Sequence, residues 1–289
     1  MPEAQIEQVN YKFNRITTLP PLPKTATKLL STMGDPDVTI DQVAKIIEQD
    51  PPLTARILGL ANSAYFGQQR EINTVREAII RVLGMNLVKS LSLSIAMAGT
   101  FDTSVCREFS VENYWYTSLG TATLARMIAQ RASLSDTSIA DSVYLCGLVH
   151  KLGQLLLANL FPEEVSAVLT EHRQKPDADL CSLERNTIGV DHMEAGEWLL
   201  NRWHLPEAVT QVVGFFGISE YNGLYRFHLT PIRTASHWVS AEISGRQVPL
   251  SADPAMFKVL GLDEAACSAL EEKFFSQRDE LQTVSRLLD

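Results

Sequence analysis

Cysteine is scarce in this chain. Cys106, Cys146, Cys181 and Cys267 lie far apart, and no two form a Cys-x-x-Cys pair. That argues against a zinc ribbon, a thioredoxin-like redox site and a disulfide framework. Reduced, mostly buried thiols in a cytoplasmic protein are the simple reading. Glycine-rich phosphate loops are also missing. No Gly-rich turn ends in Lys-Ser/Thr, no Gly-x-Gly-x-x-Gly follows a strand pattern, and no Gly-x-Ser-x-Gly offers a nucleophile elbow. No run reaches the roughly 18 uncharged apolar residues of a membrane helix. The richest, residues 145–161, is interrupted by His150 and Lys151. The first residues carry no basic-then-apolar leader. Basic residues do not cluster, so no nucleic-acid partner is expected. The net charge is −9, and the acidity is confined to one part. Residues 1–100 hold 10 Lys/Arg and 9 Asp/Glu, whereas the remainder holds 15 and 25.

What is present is helical periodicity nearly everywhere and almost no alternating pattern, which predicts an all-α chain. Thr39 is a predicted N-cap, with Val43, Ile46 and Ile47 on one face. Asp50-Pro51-Pro52 closes that helix and opens the next, because proline suits a first turn and forbids an interior. Leu53, Ile57, Leu60 and Ala61 continue at helical spacing, Asn62-Ser63 and Gly67 mark a break, and Gly84 closes the stripe Ala78, Ile79, Val82, Leu83. The polar interval 99–110 is the expected lobe boundary. Further helices are expected at 114–132, 142–160, from Pro162, 181–188, 192–203, 206–216 and 231–243, and two short acidic ones within 253–287. The expected organisation is an N-terminal helical lobe over 1–100, a second helical lobe over 101–245 and a C-terminal helical tail over 246–289.

Two motifs bear on chemistry. His192-Met193-Glu194 has the His-x-Glu spacing of zinc deaminases, but the Pro-Cys-x-x-Cys that completes such a site is missing. Asp191, His192 and Glu194 read instead as a helix start, where acidic groups oppose the dipole favourably. The segment from Gly147 through His150-Lys151 to Gly153 is similar to the His-Asp segment of HD-type metal phosphohydrolases. There the Asp supplies an anionic oxygen to a divalent ion that activates water. Here that place is Lys151, whose ammonium has no free lone pair and cannot ligate.

Several blocks together resemble the HDOD family, a relative of those phosphohydrolases. They are Leu19-Pro20-Pro21-Leu22-Pro23, Asp50 to Leu53 with Ile57 to Gly67, Ala78 to Gly84, Gly147 to Gly153, Gly189 to Gly196 and Trp203 to Pro206, and they cover about residues 15–240. The resemblance implies an HD-like multi-helix array with an N-terminal helical lobe. It places the former ligand positions at Thr117, His150, Lys151, His192, the pair Phe215-Phe216, and Ser236-His237. Only His150 and His192 keep a ligating side chain there. Two imidazoles do not make a site for Mg²⁺ or Mn²⁺, which prefer oxygen, though they could hold Zn²⁺ or Ni²⁺ weakly. Hydrogen-bonded histidines inherited from the old pocket are the plainer reading, with no metal and no cofactor.

The resemblance further implies a bacterial, cytoplasmic, non-enzymatic signal-transduction module, linked to motility or gene regulation, that binds other signalling proteins. A residual metal-dependent phosphohydrolase and a nucleotide second-messenger sensor are the alternatives, the sensor needing arginines such as Arg185 and Arg202 to converge. Asn62, Ser63, Tyr65 and Phe66 sit at a helix end and could line a cleft between the lobes. Equally, Asn62 could cap that helix while Tyr65 and Phe66, like Tyr114, Trp115 and Tyr116, pack in the core.

Overall fold

In a computed structural model, which describes residues 19–67, 70–132, 138–218 and 221–288, the described residues form helices and turns and no strand. The N-terminal part comprises α1 (Lys24–Ser31), α2 (Ile40–Glu48), α3 (Pro51–Ala61), α4 (Val75–Ala78) and α5 (Met85–Ala98). Their starts are those the sequence implies. Thr39 and Gln42 form a reciprocal capping box at α2, and Asp50 accepts from the Leu53 amide while Pro51 opens α3. The stripe after α4 runs on as a π-helical turn, Ile79–Leu83, and stops at Gly84, whose φ of 76° suits glycine. Lys89 on α5 is buried, and its Nζ donates to the Thr32 carbonyl 2.8 Å away, tying α5 to the end of α1.

The interval 99–110 joins α5 to the next helix and is itself packed. Phe101 and Cys106 are buried in it, and Phe101 stacks on Trp203 with ring centroids 5.9 Å apart. After it comes α6 (Val111–Arg131), which is buried along nearly its whole length, including Tyr114, Trp115 and Tyr116. It packs against α7 (Ser138–Val149) and α13 (Arg226–Ile243). The second layer holds α8 (Leu152–Leu160), α9 (Pro162–Gln174), α10 (Leu180–Thr187), α11 (His192–Arg202) and α12 (Glu207–Phe215). α8 crosses α11 closely, and α12 packs on α11, α7 and α13.

Three expectations are corrected. The span 142–160 is two helices, because the chain turns at His150-Lys151, where the His150 ring bonds back to the Gly147 carbonyl. α13 begins at Arg226, not Pro231. Pro231 lies inside it, and buried Leu229, Ile232 and Ala235 hold the helix through the missing amide. The C-terminal stretch holds a third short helix. Its helices are α14 (Ala255–Lys258), α15 (Glu264–Phe275) and α16 (Arg278–Arg286). α15 and α16 pack on α6, where Phe274, Leu281 and Val284 are buried. The segment 139–160 is apolar and long enough to cross a membrane by composition, but 78% of its most apolar window is buried in the protein.

Candidate functional site

The turn between α7 and α8 places His150 and Lys151 beside the start of α11 and the middle of α13. His150 is fully buried. Its Nδ1 lies 2.7 Å from the Gly147 carbonyl oxygen, which only accepts, so Nδ1 carries the hydrogen. Nε2 then uses its lone pair to accept from the Ser236 hydroxyl at 2.9 Å. Burial first, and the neighbouring Lys151 charge second, push the imidazole well below its ordinary range, so it is neutral. Phe216 closes the ring from the side, 4.9 Å away and edge-on.

Lys151 is partly buried, and its Nζ reaches the Ser240 hydroxyl at 3.4 Å. Burial lowers the ammonium to about 8, partly offset by Glu184 and Cys181. Thr117 donates its hydroxyl to the Asn113 carbonyl within its own helix. These residues do not fit the divalent ion of HD phosphohydrolases. The anionic oxygen is replaced by a cation, both His150 nitrogens are occupied, and an aromatic ring stands against the imidazole.

His192 is the first residue of α11, behind the reciprocal capping box of Asp191 and Glu194. Glu184 on α10 accepts from the His192 backbone amide at 2.9 Å and from its Nδ1 at 2.6 Å. Burial opposes a charge on His192, but the Glu184 carboxylate outweighs it and holds the imidazole well above its ordinary range. Cys181 Sγ lies 3.9 Å from the same nitrogen. Arg185, also on α10, turns to Asp191 and Glu194. Arg202 instead lies over the Trp198 ring, so the two arginines do not converge.

Thr117, Lys151, Cys181, His192, Phe216, Ser236 and His237 face a common cavity of about 1130 Å³. Phe215 does not join them and packs on Tyr221. The sequence reading missed Cys181 and Glu184. It also missed the stretch 248–259, which walls the cavity and is pinned to α13 by Asp253, bonded to Arg233 and Thr234.

Asn62, Ser63, Tyr65 and Phe66 line no part of this cavity. The Asn62 side chain donates to the Leu58 and Ile72 carbonyls and accepts from the Ile72 amide, clasping the end of α3 to the following segment. Tyr65 is hydrogen-bonded to Thr123 and packs edge-on against Phe66. Replacing Asn62 by alanine should lower stability by about 1–2 kcal/mol, read by urea denaturation, and leave ligand binding in the cavity unchanged.

The comparisons agree with this architecture. The profile of the HDOD domain matches residues 19–216. A solved HDOD domain protein of unknown function from Geobacter sulfurreducens superposes with a TM-score of 0.80 at 24% identity, covering 98% of each chain. A candidate signal transduction protein from Marinobacter aquaeolei VT8 superposes at 0.82 and 21% identity, over 99% of this chain and 66% of that one. At such identities they show the fold. An uncharacterized protein of Treponema pallidum (strain Nichols) is 30% identical over 202 residues, 70% of this chain and 38% of its own length. This chain therefore spans well under half of that relative. By its matched residues and its all-helical architecture, the chain belongs to the HDOD domain family.

Proposed function

We propose that this protein is a non-catalytic bacterial signal-transduction module that works in the cytoplasm by binding other signalling proteins, in processes such as motility or gene expression. The observation that carries the reading is the state of the old metal pocket. Lys151 occupies the place of an anionic ligand, and His150 spends both nitrogens on Gly147 and Ser236. A pocket so arranged has no means to bind a pair of divalent ions and lower the pKa of water. Membership in the HDOD family and the likeness to the Marinobacter protein support the signalling role.

The test is turnover of phosphodiester and nucleotide substrates by the purified full chain in Mg²⁺ and Mn²⁺, with metal analysis alongside. The expected result is no turnover above the metal blank and no dinuclear centre. Lys151→Asp alone should not restore activity, because the His150 nitrogens remain engaged. Stoichiometric dinuclear metal with turnover that disappears in His150→Ala would establish the phosphohydrolase reading instead. The cavity gives a second reading, a nucleotide second-messenger sensor. Its volume admits a nucleotide-sized ligand, and Lys151 and His237 are on its wall. Calorimetry with cyclic di-GMP tests it, and binding weakened by Lys151→Met would support it.

A further inference from the structure

We propose that Cys181, Glu184 and His192 form a mononuclear Zn²⁺ site at the cavity wall, which shares only His192 with the lost centre of the HD phosphohydrolases. One ligating atom from each residue lies within 4.8 Å of the other two. Two of the three donors, Cys181 and Glu184, are at none of the positions that resemblance to the phosphohydrolases marks. The site stands independently of the signalling reading.

The local sequence makes the arrangement. Cys181 and Glu184 are three residues apart on α10, so they share one face. The chain then turns through Gly189, whose φ is 88°, and the Asp191 cap starts α11 with His192 directly over that face. The donor set is sulfur, oxygen and nitrogen, a mixture that suits Zn²⁺ and not Mg²⁺ or Ca²⁺. Tetrahedral zinc with bonds of ~2.0–2.3 Å sets its ligand atoms roughly 3.5 Å apart. The distances from His192 Nδ1, 2.6 Å to Glu184 and 3.9 Å to Cys181, straddle that value, so side-chain rotations suffice. On binding, His192 Nδ1 and the Cys181 thiol each release a proton to solvent, and the thiolate and the Glu184 carboxylate then carry two negative charges, which match one dication.

Access and the open coordination place are also present. Glu184 is buried behind the site, whereas Cys181 and His192 face the cavity. Three protein donors leave one of four places for water or a ligand. Lys151, on the same cavity, repels the ion and tunes its affinity downward. The other three cysteines, Cys106, Cys146 and Cys267, are buried elsewhere, so a metal–thiolate signal has one source.

The test uses the chelator-treated full chain titrated with Co²⁺, then with Zn²⁺. The site predicts one equivalent of Co²⁺ with thiolate charge-transfer absorption and tetrahedral d–d bands, displaced by one equivalent of Zn²⁺. Cys181→Ser should abolish the charge-transfer band and weaken Zn²⁺ at least tenfold, with an unchanged circular dichroism spectrum and melting curve. Lys151→Met should tighten Zn²⁺ roughly tenfold by removing a nearby charge. No Co²⁺ binding, or a charge-transfer band that survives in Cys181→Ser, would overturn the proposal. So would weak octahedral Co²⁺ spectra indifferent to both substitutions. Phosphoester turnover by the zinc-loaded chain would count against the non-catalytic reading while leaving the site standing.

Discussion

Replacing Gly153 with alanine is expected to lower stability by about 3–4 kcal/mol, the upper range for overpacking a core. A Cβ at Gly153 would stand 1.9 Å from the His192 carbonyl oxygen and 2.7 Å from the Gly196 amide nitrogen. Both atoms are backbone of α11, so no side chain can turn away, and the two helices must separate. Gly196 faces the contact from the other side, with Val213 of α12 close behind it. Opening one crossing therefore disturbs two. In a chain of this size, a melting point lower by roughly 6–15 °C is the expected readout. Gly59→Ala is the matched control. Nothing lies within 4 Å of its added methyl group, it sits within α3, and it should stabilise by about 0.5–1 kcal/mol. The consequence for the site is direct, because Lys151 precedes α8 and His192 starts α11. Their common wall exists only while these helices touch at their glycines. Equal melting points for the two alanine variants would refute the account.

Helix starts were legible in the sequence because a cap is a local device. Thr39 with Gln42, Asp50 with two prolines, and Asp191 with Glu194 each bond within four residues. The turn at His150-Lys151 was not legible. Leucine spacing continues unbroken across it, and what bends the chain is a buried ring that must satisfy Gly147 and Ser236, a residue far away in sequence. The C-terminal stretch read as short acidic helices in a tail, whereas its many apolar residues, Met256, Leu270, Phe274, Leu281 and Val284 among them, are buried, and α15 and α16 pack on α6. The site was half legible. His150, Lys151 and His192 came from the likeness to HD enzymes; Lys151 and His192 face the common cavity, whereas His150 is buried behind it on Gly147 and Ser236. Glu184 was invisible because a glutamate in a polar helix ordinarily faces water, and only the turn at Gly189 folds a histidine onto it. Arg185 failed as a ligand-binding arginine for the same reason. The acidic cap of α11 arrives beside it and engages it.

Stability should fall on acidification through a window that begins near pH 6.5, and His150 should account for up to ~1.4 kcal/mol per pH unit of that loss. The sign follows from the two states. Folded His150 is held neutral well below its ordinary range by burial and by the Lys151 charge. Above the unfolded value of about 6.5 neither state carries the proton, and the contribution is fully present. Below it the unfolded chain binds a proton that the folded chain refuses, so unfolding is favoured until the folded value is reached. His192 works in the opposite direction. Glu184 raises it, so its contribution is full below 6.5 and is lost as pH rises through the folded value. His192 therefore bears on the slope above 6.5 and His150 on the slope below it, and the difference between wild type and His150→Gln isolates His150 from the carboxylates that also titrate on acidification. The amide of glutamine can still serve as donor and acceptor but does not titrate, so the variant should lose stability less steeply between pH 6.5 and 5. Lys151→Met should narrow the same window, because it removes the charge that helps keep His150 unprotonated. Urea denaturation at half-unit pH steps measures both, and parallel curves for wild type and His150→Gln would show that the imidazole does not stay neutral in its buried place.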